Sequence, residues 1–191
     1  VMVRFMNGLW APRQKVLGQE FYGEIVETGE HVTRFKPGDK IFGSTGLKTG
    51  AHSEYIALGE DSVITEADKK IEHESLAAIP TGAMTALFFL KQFGLKKGDR
   101  VLINGASGSV GSYAVQIAKA YGASVTGVCS TRNVELVLGL GANQVIDYKN
   151  ERLTDHPQTY DIVFDTVGNL NYKSVKPLLN SEGHFISTAF N

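Results

Sequence analysis

The sequence predicts an α/β fold in which a doubly wound parallel sheet follows a small β-barrel. Two observations support this prediction. Over residues 1–80, short strand-like runs are separated by glycine turns and helical periodicity is largely absent, which is typical of a small barrel. From residue 81 onward, apolar strand-like runs alternate with segments of helical periodicity, and this alternation indicates right-handed crossovers in a parallel sheet. We therefore expect two domains, over 1–80 and 81–191.

The predicted elements of the first domain are short and mostly extended. Residues 23–29 should form a strand that ends in a turn, and residues 32–43 should form a strand, a Pro-Gly-Asp turn and a second strand. Residues 53–57 are a further strand candidate. Near the domain boundary, 75–79 is compatible with a helix, and a second helix is expected over 81–93.

Five strands and three helices are predicted for the rest of the second domain. The strands cover 100–104, 124–129, 144–147, 161–165 and 183–188, and the helices cover 109–121, 133–139 and 171–179. A doubly wound order places the strand at 100–104 centrally, with the next two strands on one side and the last two on the other. A sixth strand is expected to complete such a sheet. Because the chain starts at Val1 and stops just after the last predicted strand, we expect both domains to be truncated.

The composition argues against several classes of function. With 191 residues, 42% of them hydrophobic and 20% charged, the chain can bury a core. A net charge of −1 gives no general attraction to nucleic acid or to an anionic membrane. The longest apolar stretch, 76–90, is interrupted by Pro80 and Gly82 and is too short for a membrane span. The single cysteine, Cys129, excludes an internal disulfide and fits a reducing compartment, so we expect a cytoplasmic protein.

A glycine-rich turn connects the central predicted strand to the next helix. Gly105, Gly108 and Gly111 have the spacing G-x-x-G-x-x-G, and helical periodicity follows. A strand, a glycine turn and a helix N-terminus together bring backbone N–H groups against a phosphate. The spacing departs from the common G-x-G-x-x-G, so a purely structural turn stays an alternative. The expected phosphate contacts are Ala106, Ser107, Gly108, Ser109 and Val110.

The end of the second strand of this sheet indicates which dinucleotide would bind. An acidic residue there accepts hydrogen bonds from the adenosine ribose and repels a 2′-phosphate. Here no acid occurs before Glu135, whereas Ser130 can donate a hydrogen bond and Arg132 can pair with a phosphate. We therefore expect NADPH rather than NADH. Alternatively, Ser130 or Thr131 caps a helix beside a solvated arginine.

Further contacts are expected where the other parallel strands end, because ligands of such sheets lie at the carboxyl ends of the strands. Tyr148 lies either beside the adenosine and its phosphate or against the edge of the sheet. Cys129 is interpreted as a packed strand residue rather than a reactive thiol. The residues that end these strands are Asn104, Ser130, Tyr148, Thr166, Val167, Gly168, Ser187 and Thr188.

Several motifs resemble those of a known family. They are 17–29 and 32–39 in the first domain, 77–86 before the glycine turn, the turn itself, and 141–148 and 161–168 after it. In this order they resemble the zinc-free branch of the medium-chain dehydrogenase/reductases, the quinone oxidoreductase or ζ-crystallin-like group. The resemblance implies a GroES-like barrel, a Rossmann-type domain, NADPH in the cleft, and hydride transfer to a quinone or an α,β-unsaturated carbonyl. It also implies that Thr85 lies near the nicotinamide, and Ser130, Arg132 and Tyr148 near the adenosine phosphate.

The resemblance further implies that no zinc takes part. Zinc-using relatives carry histidine where Gln19 stands and have cysteine ligands, whereas Cys129 is the only cysteine here and the five histidines lack metal-ligand spacing. Glu20 then has no metal to serve. Reduction of an electrophilic acceptor is easier without a Lewis acid than oxidation of an alcohol, and the cofactor carries the chemistry. No catalytic acid is identified, since Tyr22 and Tyr55 are expected to be packing residues.

Two other functions stay open at this point. An NADPH-binding protein of the same fold with a structural, non-catalytic role would carry the same motifs. An S-adenosylmethionine-dependent methyltransferase also uses a glycine turn, but such enzymes place an acid where Cys129 and Ser130 stand. Relatives often pair through the edge of the sheet, so a homodimer of the full-length protein is an expectation.

Overall fold

The structure, a computed structural model, describes residues 15–68 and 70–188 of the chain. The chain divides after Thr81 into two compact units. None of the helices in the described ranges has the length and apolarity needed to cross a bilayer.

The first unit is built around a three-stranded antiparallel sheet. Its strands are β1 (Glu20–Glu24), β2 (Lys40–Ser44) and β3 (Val63–Glu66), in the order β1-β2-β3. Because β2 is central, Phe42 pairs with Tyr22 on one side and with Thr65 on the other. A 3-10 turn at Gly46–Lys48 follows β2, and the short helix α1 (His73–Ala77) contacts β1.

The strands of this unit are predicted only in part. The expected extended stretch at 40–43 lies within β2, whereas 32–35 forms no strand. The Glu60 carboxylate accepts hydrogen bonds from the N–H groups of Thr33 and Arg34, both at 3.0 Å, and these bonds take the place of strand pairing. The same bonds, that from Arg34 first, lower the pKa of Glu60 below its ordinary value.

The strand predicted over 53–57 is also wrong, and β3 was not predicted. The Ser53 hydroxyl donates to the carbonyl oxygens of Gly50 and Tyr55, and this local bonding holds the segment in an irregular conformation. β3 is only four residues long, and one of its two apolar residues, Val63, is 51% exposed. Such a short edge strand gives little alternation from which to predict it.

The second unit is a five-stranded parallel sheet flanked by helices. The strands are β4 (Arg100–Asn104), β5 (Ser124–Cys129), β6 (Gln144–Asp147), β7 (Tyr160–Asp165) and β8 (Leu179–Ser187). The helices from α2 onward are α2 (Ile79–Gln92), α3 (Ser109–Ala120), α4 (Val134–Gly139) and α5 (Tyr172–Val175), with 3-10 turns at Thr131–Asn133, Leu153–Asp155 and Lys176–Leu178. The strand order β6-β5-β4-β7-β8 confirms the predicted doubly wound arrangement with β4 at its centre.

The last predicted helix is shorter than expected. α5 ends at Val175, and a 3-10 turn that contains Pro177 leads directly into β8. Proline lacks an N–H and its ring collides with the preceding turn, so a regular helix does not continue through it. β8 therefore begins at Leu179, earlier than predicted. Leu179 pairs with Tyr160, whereas His184 pairs with Ile162, so β8 has extra residues between these two pairs and forms a bulge.

The central strand β4 is buried on both faces. Val101, Leu102 and Ile103 have no exposed surface. Val101 and Ile103 belong to a core cluster that includes Ala114 and Val115 of α3, whereas Leu102 belongs to a second cluster. A run of apolar residues buried on both sides is what a central parallel strand requires, and it places the turn that follows β4 in a rigid setting.

We predict that Gly111→Ala destabilises the second unit. A Cβ at Gly111 would lie 2.1 Å from the carbonyl oxygen of Gly105, so α3 would have to move away from the turn. Overpacking of this kind costs about 1–3 kcal/mol in the free energy of unfolding, which urea denaturation measures. Gly139→Ala is the matched control, because no atom lies within 4 Å of its added Cβ. Equal stability of the two variants would contradict the close approach of α3 to the turn.

Candidate dinucleotide-binding site

The turn between β4 and α3 is fixed to the neighbouring strand β5. The N–H groups of Gly105 and Ala106 both donate to the carbonyl oxygen of Val128, at 3.1 and 3.0 Å. Gly105 has a φ of +80°, in the left-handed region, and an added Cβ would lie 2.6 Å from Val167 and 2.7 Å from Thr166. Gly105 therefore turns the chain sharply, as its place in the motif predicts.

The N-terminus of α3 presents backbone donors to a ligand. Gly108 precedes the helix in an extended conformation. The N–H groups of Ser109, Val110 and Gly111 in the first turn have no carbonyl partner within the helix, and the helix dipole adds positive potential there. A Cβ added at Gly108 would meet only the Gly105 oxygen, at 3.3 Å, so a ligand can approach this backbone closely. The residues present thus fit a phosphate.

Ala106 has a different role from the predicted one. Its side chain is fully buried in the core, and its N–H is taken by the carbonyl oxygen of Val128. Both groups are committed to the protein, so neither is available as a phosphate contact. Ala106 instead packs the turn against Gly127 of β5. A Cβ added at Gly127 would lie 3.0 Å from the Ala106 methyl group.

Thr85 lies on α2, close to the N-terminus of α3. Three residues earlier, a Cβ on Gly82 would lie 2.6 Å from the Ser109 hydroxyl and 2.8 Å from the Tyr113 ring, so the two helices touch at this point. Residues three apart on a helix are neighbours on one face, which places the half-buried Thr85 beside this contact. Its contact with a nicotinamide stays a prediction.

Asn133 connects the glycine turn to the end of β5. Its side-chain nitrogen Nδ2 donates to the Ser107 hydroxyl oxygen at 2.9 Å and to the Ser130 hydroxyl oxygen at 3.3 Å. Its backbone N–H donates to the carbonyl oxygen of Ser130 at 2.8 Å. The predictions for Ser107 and Ser130 therefore fall on two side chains that the structure brings together. Asn133 itself was missed, because an asparagine after a strand is ordinarily read as a turn residue.

Arg132 is exposed in the 3-10 turn that follows Ser130, and it forms no ion pair in the described part of the chain. Ser130 occupies the position before this turn, yet its side chain makes no capping hydrogen bond. The alternative in which the Ser130 hydroxyl serves as a helix cap is therefore wrong. The guanidinium of Arg132 is available to an anionic ligand.

The carboxylate of Asp147 holds this turn against the end of β6. It accepts hydrogen bonds from Thr131, through its hydroxyl and its N–H, from the N–H of Lys149 at 3.0 Å, and from the Asn150 side chain at 2.7 Å. These bonds, that from the Thr131 hydroxyl first, hold the pKa of Asp147 below its ordinary value. Neither Asp147 nor Asn150 was predicted to have a part in the site.

Tyr148 extends from the end of β6 into solvent. Its N–H donates to the carbonyl oxygen of Cys129 at 3.1 Å, while its side chain is 56% exposed and the Lys149 ammonium lies 5.3 Å from the ring centroid. The exposed part of the ring is available to a ligand, and its contact with an adenosine stays a prediction. Cys129 is buried, and burial first, then the charge of Asp147, raises the pKa of its thiol, as expected of a packed residue.

A buried carboxylate shapes the loop on the other side of the glycine turn. Asp165 has no exposed surface, and it accepts hydrogen bonds from the Asn104 side chain at 2.8 Å and from three backbone N–H groups at 2.9–3.0 Å. These N–H groups belong to Val167, Gly168 and Leu170. The carbonyl oxygen of Asp165 also accepts the N–H of Thr188. Its role was missed, although a lone aspartate that ends an apolar strand is a signal for such a loop.

Two residues of this loop, Thr166 and Val167, were predicted to contact the cofactor, and they differ in how available their side chains are to a ligand. The Thr166 hydroxyl donates to the carbonyl oxygen of Asn104 at 2.8 Å and is used within the protein. The Val167 side chain is 55% exposed and lies against Gly105. Val167 can therefore offer an apolar contact beside the glycine turn, whereas Thr166 fixes the loop.

In the first unit, Gln19, Glu20 and Tyr22 have structural contacts, whereas the Tyr55 side chain is 74% exposed. The Gln19 amide donates to the carbonyl oxygen of Gly46 at 3.0 Å, and the Glu20 carboxylate accepts the N–H of Thr81 at 2.7 Å. The Tyr22 ring stacks on His73, with the ring centroids 4.4 Å apart. Within 15–68 and 70–188, no three His, Cys, Asp or Glu side chains are grouped as metal ligands would be.

We predict that Asp147→Asn lowers stability at neutral pH and that the difference disappears in acid. Because the pKa of Asp147 is depressed in the folded state, its stabilising effect is present above the unfolded pKa and is lost as the pH falls through the folded pKa. Urea denaturation of both proteins at neutral and acidic pH measures the free energy of unfolding. A difference independent of pH would contradict the ionised role of Asp147.

Comparison with known proteins places these features in a family. The alcohol dehydrogenase GroES-like domain matches residues 2–92, and the zinc-binding dehydrogenase family matches residues 109–191. A solved structure of a quinone oxidoreductase from Coxiella burnetii is 33% identical, with a TM-score of 0.87, over 98% of this chain and 59% of that chain.

Two curated relatives have similar identity. A chloroplastic quinone-oxidoreductase homolog from Spinacia oleracea is 34% identical over 179 residues, which are 88% of this chain and 54% of the relative. A chloroplastic NADPH-dependent alkenal/one oxidoreductase from Arabidopsis thaliana is 34% identical over 175 residues, which are 87% of this chain and 45% of the relative. The chain spans about half the length of these curated relatives.

The comparisons confirm the fold predicted from the sequence, a GroES-like domain followed by a Rossmann-type parallel sheet. The glycine turn, the parallel sheet order and the two domain matches agree with one another. The chain belongs to the medium-chain dehydrogenase/reductase family, in the group of the quinone oxidoreductases.

Proposed function

We propose that this protein is an NADPH-dependent, zinc-independent oxidoreductase that transfers a hydride to a quinone or to an α,β-unsaturated carbonyl. The observation that carries the proposal is the pair of linked turns at the carboxyl edge of the sheet. One turn presents the N–H groups of a helix N-terminus, and the other presents Ser130 and the exposed Arg132. Together they offer hydrogen-bond donors and positive charge to two separate phosphate groups.

The pyrophosphate of the dinucleotide would lie against the N-terminus of α3. Gly108 leaves room for close approach, and the N–H groups of Ser109 and Val110 can donate to phosphate oxygens. The Ser107 hydroxyl adds a donor, since its oxygen already accepts from Asn133. Val167 and Thr85 flank this position from the neighbouring loop and from α2. This arrangement orients the cofactor chiefly through backbone groups.

The preference for NADPH rests on the second turn. Ser130 and Arg132 can bind a phosphate on the 2′-oxygen of the adenosine ribose, and the exposed Tyr148 ring is available to contact the adenosine. The Asp147 carboxylate at the end of β6 is already engaged by Thr131 and Asn150, and so it does not take the place of an acid that binds a ribose hydroxyl. The name of the Arabidopsis relative, an NADPH-dependent alkenal/one oxidoreductase, supports this preference.

The chemistry we propose needs little from the protein beyond orientation and exclusion of water. The nicotinamide, when bound, supplies a hydride to an electrophilic carbon. Gln19 uses its amide to hold Gly46, and Glu20 accepts the N–H of Thr81, so both side chains serve the fold of their unit. This supports a zinc-independent reaction. No residue is assigned as a catalytic acid, and the cytoplasmic location and the homodimer stay predictions.

We predict that Arg132→Ala weakens NADPH binding by about 1–3 kcal/mol and leaves NADH binding nearly unchanged, because the lost contact is charge-assisted and specific to the 2′-phosphate. Calorimetric titration with each cofactor measures both dissociation constants. Arg152→Ala, which removes the same charge from an exposed position outside the site, is the matched control. Equal affinity of the unaltered protein for NADPH and NADH would overturn the proposed preference.

Turnover separates the enzyme from a binding protein of the same fold. We expect NADPH absorbance at 340 nm to fall when a panel of quinones and enones is added, and to be unaffected by a zinc chelator. Tight NADPH binding without consumption across the panel would favour the structural, non-catalytic alternative. Loss of activity on chelation would contradict zinc independence.

A further inference from the structure

The amide of Asn133 lies between two hydroxyl groups that belong to different turns. Its Nδ2 is 2.9 Å from the oxygen of Ser107 in the glycine turn and 3.3 Å from the oxygen of Ser130 at the end of β5. The two serines are 23 positions apart in the sequence. The backbone N–H of Asn133 donates to the carbonyl oxygen of Ser130, which fixes the residue from which the amide extends. One side chain thus contacts a serine from each of the two turns.

The direction of these two hydrogen bonds decides whether the serine hydroxyls can donate to a ligand. A serine hydroxyl has one hydrogen to donate and two lone pairs that accept. Because Nδ2 is a donor only, Ser107 and Ser130 each accept from it and keep their hydrogens for another partner. A carboxylate in the same place would reverse this, since each hydroxyl would donate inward and present lone pairs outward. Hydroxyls with outward hydrogens suit a phosphate.

We propose that Asn133 is a positioning residue that determines cofactor preference, because it sets the Ser107 and Ser130 hydroxyls as donors toward the two phosphate groups of NADPH. This inference rests on the proposed function. Through Ser107 it supports the pyrophosphate common to both cofactors, and through Ser130 it supports the 2′-phosphate that only NADPH carries. Asn133 therefore contributes more to NADPH than to NADH.

Other bonds hold the two turns in place without the Asn133 side chain. Gly105 and Ala106 are bonded to the carbonyl oxygen of Val128, and Thr131 is bonded to Asp147. The half-buried Asn133 is not a member of either apolar core cluster. Its replacement is thus expected to change the direction of two hydroxyl groups more than the position of the backbone.

The test measures dissociation constants for NADPH and NADH by calorimetry in a double-mutant cycle. Asn133→Asp keeps the shape of the side chain and reverses its polarity, so we expect NADPH binding to weaken at least about tenfold more than NADH binding. Asn133→Ala should reduce the NADPH preference about threefold to tenfold. In a Ser130→Ala background, Asn133→Ala should leave the remaining preference unchanged, because the hydroxyl through which it acts is absent.

The outcomes separate this inference from the proposed function. If the unaltered protein binds neither cofactor, both proposals are overturned. If it prefers NADPH and the Asn133 variants keep that preference, this inference alone is overturned. The same result follows if Asn133→Ala changes the preference equally with and without Ser130, because a general structural effect would do so. Thermal melts of each variant show that the compared proteins are folded.

Discussion

The carbonyl oxygen of Val128 is the acceptor on which the candidate site depends. It takes the N–H groups of both Gly105 and Ala106 and so joins the turn after β4 to the strand beside it. Only then can α3 start so close to the turn that a single methyl group at Gly111 would meet the Gly105 oxygen at 2.1 Å. Because of this close approach, the first N–H groups of α3 lie at the carboxyl edge of the sheet and face outward. The site is therefore mostly backbone, held rigid by a buried sheet.

The carboxylates of Asp147 and Asp165 act in the same way on either side of that turn. Each ends a parallel strand and accepts several hydrogen bonds from the loop that follows it. Asp147 holds the segment that carries Ser130 and Arg132, and Asp165 holds the loop that carries Val167. These hydrogen bonds hold both loops against the ends of their strands. The residues that can meet a ligand are presented on loops that the protein has already ordered.

The sequence predicted the parallel sheet well and the antiparallel sheet poorly, for physical reasons. β4 is a continuous apolar run between turn signals, and both its strand order and its glycine turn follow from general rules. In the first unit, by contrast, the backbone near Thr33 and Arg34 is bonded to the side chain of Glu60, which lies far away in the sequence. For the site, glycine spacing predicted the turn between β4 and α3, but the partners of Asn133 and Asp165 depend on contacts between separate loops. No local pattern contains that information.

In the proposed function, one turn receives the pyrophosphate and the other receives the 2′-phosphate. Amide chemical shifts of the ¹⁵N-labelled protein, titrated separately with NADPH and with NADH, test it most directly. Both cofactors should shift the amides of Ser109–Gly111, and the difference between the two titrations should be confined to Ser130–Asn133 and Tyr148. Identical shifts with the two cofactors, or a difference located elsewhere in the chain, would contradict the claim.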